Sequence, residues 1–257
     1  MLVSRGRTPS AGEVVTQLFQ AKGLRDRVLT TLGLLVLVRL GIYIPIPGID
    51  REAFQQFIQQ GGQLIGFLDI FTGGGISALG IFALGILPFI NASIILQLLT
   101  AALPSLEELQ KNEGEAGRRK LAQITRYVAL GWGLLQSTVF ALILRPYSLE
   151  TIPDGIFVVQ TALALVTGSM VVMWLSEVIT ERGIGQGASL VIFLNIVATL
   201  PRALGSTVEL AQSGDRGTIA GIIVLVLVFL VTIVGIVCVQ EGSRRIPIVS
   251  AKRQVGS

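Results

Sequence analysis

The sequence predicts an all-α membrane protein: a polytopic bundle of six transmembrane helices with one additional short re-entrant helix. Of its 257 residues, 51% are hydrophobic and only 14% are charged, and the mean hydropathy is +0.74. A soluble chain carries about 25% charged residues. Six apolar segments are close to the length of about 20 residues that a helix needs to cross about 30 Å of hydrocarbon.

The six predicted spans follow one another along the whole chain. They cover residues 28–44, 76–103, 124–144, 156–175, 188–204 and 219–239. The first and fifth are short, the second is long, and the last contains no charge and no break. The residues before the first span are polar and basic over a long stretch. We therefore expect the first apolar segment to be a span and not a cleaved signal peptide.

The positive charges predict the orientation. If the N-terminus is cytoplasmic, fifteen of the twenty Lys and Arg residues lie on the cytoplasmic side and four lie outside. This bias is the one that cytoplasmic loops show, so both ends of the chain are predicted to be cytoplasmic. Arg39 is the remaining one, near the outer end of the first span, where we expect its long side chain to reach the interface.

The residue inventory excludes most catalytic chemistry. The chain has one cysteine, Cys238, and no histidine, so it can form no internal disulfide, histidine-based triad or Cys–His pair. We expect no enzyme activity, no metal and no cofactor. No carboxylate is predicted near a membrane midplane, which argues against the main rival hypothesis, a proton- or sodium-coupled transporter with broken helices.

A short apolar segment, "QLIGFLDIFTGGG", precedes the second span. Its apolar residues recur at helical spacing over little more than two turns, which is far too short to span. Glycines flank it on both sides and give the backbone freedom. It is either a passive re-entrant segment or a movable stopper over residues 64–73. The residues concerned are Leu64, Phe67, Leu68 and Phe71, followed by Gly73, Gly74 and Gly75.

Polar residues interrupt the second and fifth spans. Pro88 is expected to bend the second span, and Asn91 and Gln97 need a neighbouring helix or an aqueous path. Ile86 and Ile90 share one face there. The alternative to a functional role for these residues is an ordinary kinked helix packed in a bundle.

The fifth span repeats this pattern, with Ile192 and Ile196 four residues apart and Asn195 beside them. The preceding "ERGIGQG" has neither the strand nor the Lys-Ser/Thr of a phosphate loop. Its small residues favour close helix approach or a tight turn.

Five stretches together resemble the SecY family, the main subunit of the bacterial protein-conducting channel, which has chloroplast relatives. They are "IPIPGID", "DIFTGGGISALGIFALGILPFINASIILQLL", "EGEAGRRKLAQITRY", "ITERGIGQGASLVIF" and "RRIPIVSAKRQ". The resemblance runs from about residue 24 to 256. It implies an hourglass pore with an apolar waist, closed from outside by a short plug helix and opening sideways into lipid through a lateral gate.

The resemblance also implies roles for individual residues. The pore ring would contain Ile86, Ile90 and Ile192, with Ile196 a weaker candidate. Residues 64–73 would be the plug, and Gly73, Gly74 and Gly75 its hinge. Asn91 and Gln97 would belong to the lateral gate. The basic tail contains Arg244, Arg245, Lys252 and Arg253. These residues would either dock a cytoplasmic partner or serve only as a signal for membrane orientation, with contact to anionic lipid.

Partners and localisation are implied in the same way. The partners would be SecE-type and SecG-type small membrane subunits, the motor ATPase SecA, the ribosome through its RNA and proteins, signal peptides, nascent chains and lipid. The membrane would be the plasma or the thylakoid membrane, with both ends cytoplasmic or stromal. A channel subunit of a protein translocase is thus the favoured function, and a transporter or a pore-free scaffold or insertion factor stays open.

Family members have ten spans in two inverted halves, so we expect this chain to be an incomplete N-terminal portion. Its predicted organisation is a cytoplasmic segment at 1–27 and a five-span half at 28–204 with the plug at 64–73. The sixth span and a basic loop follow at 205–257.

Overall fold

The structure is a computed structural model that describes residues 22–61, 63–111, 114–149, 152–212 and 216–242. Within these ranges the chain is helical, with isolated bridges and no β-strand. The helices are α1 Lys22–Gly41, α2 Arg51–Gly61, α3 Gln63–Thr72, α4 Leu87–Ala102, α5 Pro104–Lys111, α6 Gly114–Leu144, a 3-10 turn Arg145–Tyr147, α7 Asp154–Arg182, α8 Gly187–Gln212 and α9 Arg216–Glu241. The chain divides into two compact units, Met1–Leu200 and Pro201–Ser257.

Among the residues that the structure describes, four helices are long and apolar enough to cross a membrane. They are α6 with its 3-10 turn, α7, α8 and α9, and the bent pair of α4 and α5 would make a fifth span. The predicted first span corresponds to α1, which has 20 residues but carries Arg25, Asp26, Arg27 and Arg39. Because of these charges, α1 is less apolar than the four helices named above. The all-α membrane fold is confirmed, and the count of six spans stays a prediction.

The second predicted span differs most from expectation. Residues 73–86 form consecutive turns, and helix α4 begins only at Leu87. The expected kink at Pro88 is wrong, because Pro88 lies in the first helical turn, where a missing N–H leaves no intrahelical bond unmade. The chain instead bends by 101° between α4 and α5, where Pro104 begins the second helix of the pair.

The turns at 73–86, which we call the connector, are held between several elements. The Ile46 N–H donates to the Leu79 carbonyl at 2.9 Å, and the Ile81 N–H donates to the Ile44 carbonyl at 2.9 Å. From α7, the Ser169 hydroxyl donates to the Gly85 carbonyl at 2.9 Å. These bonds satisfy backbone groups that a helix would otherwise pair internally. Tertiary contacts therefore fix the connector in a non-helical conformation.

Helix α7 is the central helix of the first unit, since half of its most apolar 18-residue stretch is buried. A Cβ atom at Gly168 would lie 2.0 Å from the Ile81 carbonyl oxygen, so only glycine allows the connector to lie this close. Helix α7 also packs against α6. The Arg126 Nε of α6 donates to Glu177 of α7 at 2.8 Å and ties the two helices together.

The glycines of "ERGIGQG" form a tight, closely packed turn, which confirms their predicted role. A Cβ at Gly187 would lie 1.8 Å from the Ser176 carbonyl, and Gly185 has a φ of +76°. The hydroxyl of Thr31 accepts a hydrogen bond from the Ile184 N–H at 3.0 Å. The turn between α7 and α8 is thus fastened to α1.

The second unit contains α9, the most apolar helix. Its span of 23 residues has a mean hydropathy of 3.5 in its most apolar window. It contains the predicted span 219–239, and its length and apolarity are sufficient for a span. The predicted boundaries of the chain's organisation, at 27 and 204, stay predictions.

Candidate pore-closing site

The short helix α3 ends in a well-defined capping motif. The Gly74 N–H donates to the Asp69 carbonyl at 3.0 Å, and the Gly73 N–H donates to the Ile70 carbonyl at 3.4 Å. This pair of bonds is a Schellman motif, which requires a left-handed residue after the helix. Gly73 supplies it with a φ of +69°. In this structure the glycines therefore end the helix, and their role as a hinge stays a prediction.

The carboxylate of Asp69 organises the chain after α3. Its Oδ1 accepts hydrogen bonds from the Ile76 N–H at 2.8 Å, the Ser77 N–H at 3.1 Å and the Thr72 hydroxyl at 3.1 Å. Asp69 is only 8% exposed, and a buried carboxylate needs such donors. Sequence reasoning missed Asp69. The available signal was an acid at the C-terminal end of a helix, just before threonine and glycines.

Two distant helices contact the end of α3 through side chains. From α1, the Arg39 guanidinium donates to the Gly73 carbonyl. From α8, the Asn195 Nδ2 donates to the Phe71 carbonyl at 3.0 Å. Arg39 is half-buried and its head group has a backbone acceptor inside the protein. That it also extends to the interface stays a prediction.

An apolar cluster gathers three of the four predicted ring residues. Ile86 is 2% exposed in this cluster, and Ile90 and Ile192 pack against it at its edge. Ile196 lies outside the cluster and is 39% exposed. Val38 and Val191 are also buried in the cluster, and they place it next to Arg39 and Asn195. The ring assignment itself stays a prediction.

The other predicted site residues are placed as follows. Asn91 is half-buried and Gln97 is exposed, both on α4. Phe71 is 37% exposed. Leu64, Phe67 and Leu68 belong to α3, but their side chains lie outside the described part of the structure. The same holds for the entire basic tail, with Arg244, Arg245, Lys252 and Arg253.

No group of three or more metal-binding side chains occurs among the residues that the structure describes. The site offers instead an apolar cluster beside a hydrogen-bonded short helix. Isoleucine side chains give water no hydrogen-bonding partner, so a narrow ring of them can exclude ions.

The chain is similar to proteins of one family. The family model of SecY matches residues 80–257. The protein translocase subunit SecY of Synechococcus elongatus is 69% identical over 260 residues, covering 100% of this chain and 59% of that protein. SecY of Synechocystis sp. is 63% identical, and the match covers 100% of this chain and 58% of that protein. SecY of Aquifex aeolicus is 43% identical, and the match covers 95% of this chain and 58% of that protein. The chain thus spans less than two thirds of the length of these relatives.

Two solved structures share the fold at 19% identity and a TM-score of 0.59. One is described as the structure of a protein conducting channel, and the match covers 81% of this chain and 46% of that one. The other is Sec61 in the canine ribosome–channel complex from the endoplasmic reticulum, where the match covers 88% and 50%.

Apolar helices of spanning length and these relatives together make the protein a multi-pass membrane protein. Since the family model matches more than half of the residues, this chain belongs to the SecY family.

Proposed function

We propose that the chain is part of the central channel subunit of a protein translocase. The whole protein would pass unfolded secretory proteins across a membrane and release apolar segments sideways into the bilayer. The observation that carries the proposal is the docking of the short helix α3 by Arg39 and Asn195, next to the apolar cluster of Ile86 against which Ile192 packs.

Closure would rest on two layers. Ile86, Ile90 and Ile192 form an apolar constriction that resists wetting, and α3 covers it as a plug. A translocating chain would displace α3 and pass between the isoleucine side chains. These flexible apolar groups suit a sequence-independent seal because they make no directional bonds with the substrate.

The lateral gate would involve α4. Asn91 is half-buried and Gln97 is exposed, which suits a helix whose polar residues face a partner outside this chain or the aqueous path. We assign both residues to the gate, which would begin at the start of α4 at Leu87. Polar residues on a membrane helix favour contact with another helix over contact with lipid.

The proposed partners are SecE-type and SecG-type subunits, SecA, the ribosome, signal peptides, nascent chains and lipid. The solved Sec61 structure is described as a ribosome–channel complex, which supports ribosome binding. The docking site would be Arg244, Arg245, Lys252 and Arg253. We place the protein in the plasma or thylakoid membrane with both ends of the chain cytoplasmic or stromal, as the positive charges predict.

The transporter alternative is not favoured. Coupled transport needs a carboxylate that can take up and release a proton or a sodium ion. The buried Asp69 already accepts three hydrogen bonds from the chain that follows it, so it is a structural group. The relatives are translocase subunits, which are channel proteins and not enzymes.

Photo-crosslinking tests the proposed function. A photoreactive amino acid is placed singly at Ile86, at Ile192 and, as the control, at Leu135 of α6, which is 54% exposed. The full-length protein is reconstituted with its motor and a secretory precursor that stalls during translocation. We expect adducts at Ile86 and Ile192 and none at Leu135. Equal labelling at all three positions, or labelling at Leu135 alone, would contradict the proposal.

A further inference from the structure

Two side chains from different long helices hold consecutive parts of one short backbone segment. Arg39 on α1 donates to the carbonyl of Gly73, and Asn195 on α8 donates to the carbonyl of Phe71 at 3.0 Å. The two acceptors are two residues apart at the end of α3. Both belong to the backbone, so they are present whatever side chains α3 carries.

The contact is tight and partly buried. Asn195 is 2% exposed, and its Oδ1 has no hydrogen-bond partner within the described residues. A Cβ atom at Gly73 would lie 2.6 Å from the Arg39 Nη1 and 2.8 Å from the Asn195 Oδ1. Any side chain at this position would push both residues away. Glycine at 73 therefore serves the approach of Arg39 and Asn195 as well as the end of the helix.

The hydrogen bonds of Asp69 have a different role. Its partners Thr72, Ile76 and Ser77 all lie within the same segment of chain. Those bonds shape the segment, but they do not tie it to a span. The bonds from Arg39 and Asn195 do connect α3 to the helices α1 and α8, and they would have to break if α3 moved away.

Breaking them has an energetic consequence at the constriction. Hydrogen bonds to charged donors are stronger than neutral ones, and a buried donor left without its acceptor is destabilising unless water replaces it. Val38 and Val191, beside the two donors, belong to the apolar cluster of Ile86. Movement of α3 would therefore leave the buried Asn195 amide without its acceptor until water replaces it.

We infer that Arg39 and Asn195 are positioning residues that hold the plug helix shut and set the balance between the closed and the open channel. This inference rests on the proposed function, since it needs α3 to be the plug. The two residues act on the backbone of α3 and touch no substrate in the closed state.

The test measures the resting open probability of the full-length protein in planar bilayers, without precursor. Arg39→Met and Asn195→Leu each remove the donor and keep a similar side-chain size. We expect each to raise the open probability about tenfold or more, which is the effect of losing one buried hydrogen bond. Arg39→Lys keeps a charged donor and should lie closer to wild type. Arg51→Met, at an exposed arginine, is the control and should change nothing.

A purely structural role is distinguished by thermal unfolding in detergent. The inference predicts that the unfolding midpoint stays near that of wild type while the open probability rises. Should Arg39→Met or Asn195→Leu fail to fold, the milder Arg39→Lys and Asn195→Gln take their place, with an expected rise of about two- to fivefold. Folded variants with the open probability of the Arg51→Met control would overturn the inference.

The same recordings separate this inference from the proposed function. If wild-type protein conducts during translocation of a precursor but the variants remain closed at rest, only the role of Arg39 and Asn195 is wrong. If wild-type protein never conducts when a precursor engages it, the proposed function fails and the inference fails with it.

Discussion

Asp69 joins the end of α3 to the connector, and its removal should loosen this junction locally. All three hydrogen bonds that the side chain accepts go to one oxygen, Oδ1. In Asp69→Ala, the Ile76 and Ser77 N–H groups lose their acceptor. An unsatisfied buried donor is destabilising by about 1–3 kcal/mol, so the two donors together should lower local stability by about 2–4 kcal/mol once partial relaxation is allowed for.

Hydrogen exchange of the full-length protein in detergent, followed by mass spectrometry, measures this effect. A loss of about 2–4 kcal/mol corresponds to about 30- to 1,000-fold faster exchange of the peptide covering residues 74–78. Asp69→Asn is the matched control, because it keeps Oδ1 and removes only the charge, and it should speed exchange less than about tenfold. Equal exchange in Asp69→Ala and wild type would refute the role assigned to the carboxylate.

Two further predictions concern packing and docking. Gly168→Ala should lower the thermal unfolding midpoint, since its Cβ would lie 2.0 Å from the Ile81 carbonyl and overpacking destabilises by about 1–3 kcal/mol; Gly131→Ala, with nothing within 4 Å, is the control, and an equal midpoint for both would contradict the close approach. Arg244→Glu with Arg245→Glu should weaken ribosome binding about fivefold, and the loss should be larger at low salt because RNA phosphates are involved. Wild-type affinity at both salt concentrations would leave the tail as an orientation signal.

Long apolar segments were predictable because their composition determines their structure. The predicted spans 124–144, 156–175, 188–204 and 219–239 each lie inside one helix, α6 to α9. In lipid the backbone must satisfy its own hydrogen bonds, so an apolar run of this length has few alternatives to a helix. Helix ends were less predictable, since α6 and α7 continue into charged turns that the apolar pattern does not cover.

The connector could not be predicted in the same way. Residues 76–86 are as apolar as a span, and the two glycines among them, Gly80 and Gly85, do not by themselves exclude a helix. Their non-helical path depends on tertiary bonds such as that from Ser169 to the Gly85 carbonyl. Pro88 was misinterpreted for the same reason, because a proline begins a helix as readily as it bends one.

Sequence predicted the apolar half of the candidate site better than the polar half. The resemblance singled out Ile86, Ile90 and Ile192, which the structure gathers around one cluster. The contacts of Arg39 and Asn195 were missed, since Asn195 and Phe71 are separated by 124 positions in the chain. A buried asparagine and an arginine within apolar runs do indicate that each needs a partner, but only the fold identifies the Phe71 and Gly73 carbonyls as those partners.

The central claim is that isoleucine side chains seal the channel at rest. It is tested most directly by ion conductance across planar bilayers containing the full-length protein with Ile86→Asn and Ile192→Asn. Amides offer water hydrogen bonds where isoleucine offers none, so a wetted constriction should conduct ions without any precursor. Ile86→Leu with Ile192→Leu keeps the site apolar and should remain as tight as wild type. A resting conductance of the asparagine variant equal to that of the leucine variant would contradict the account.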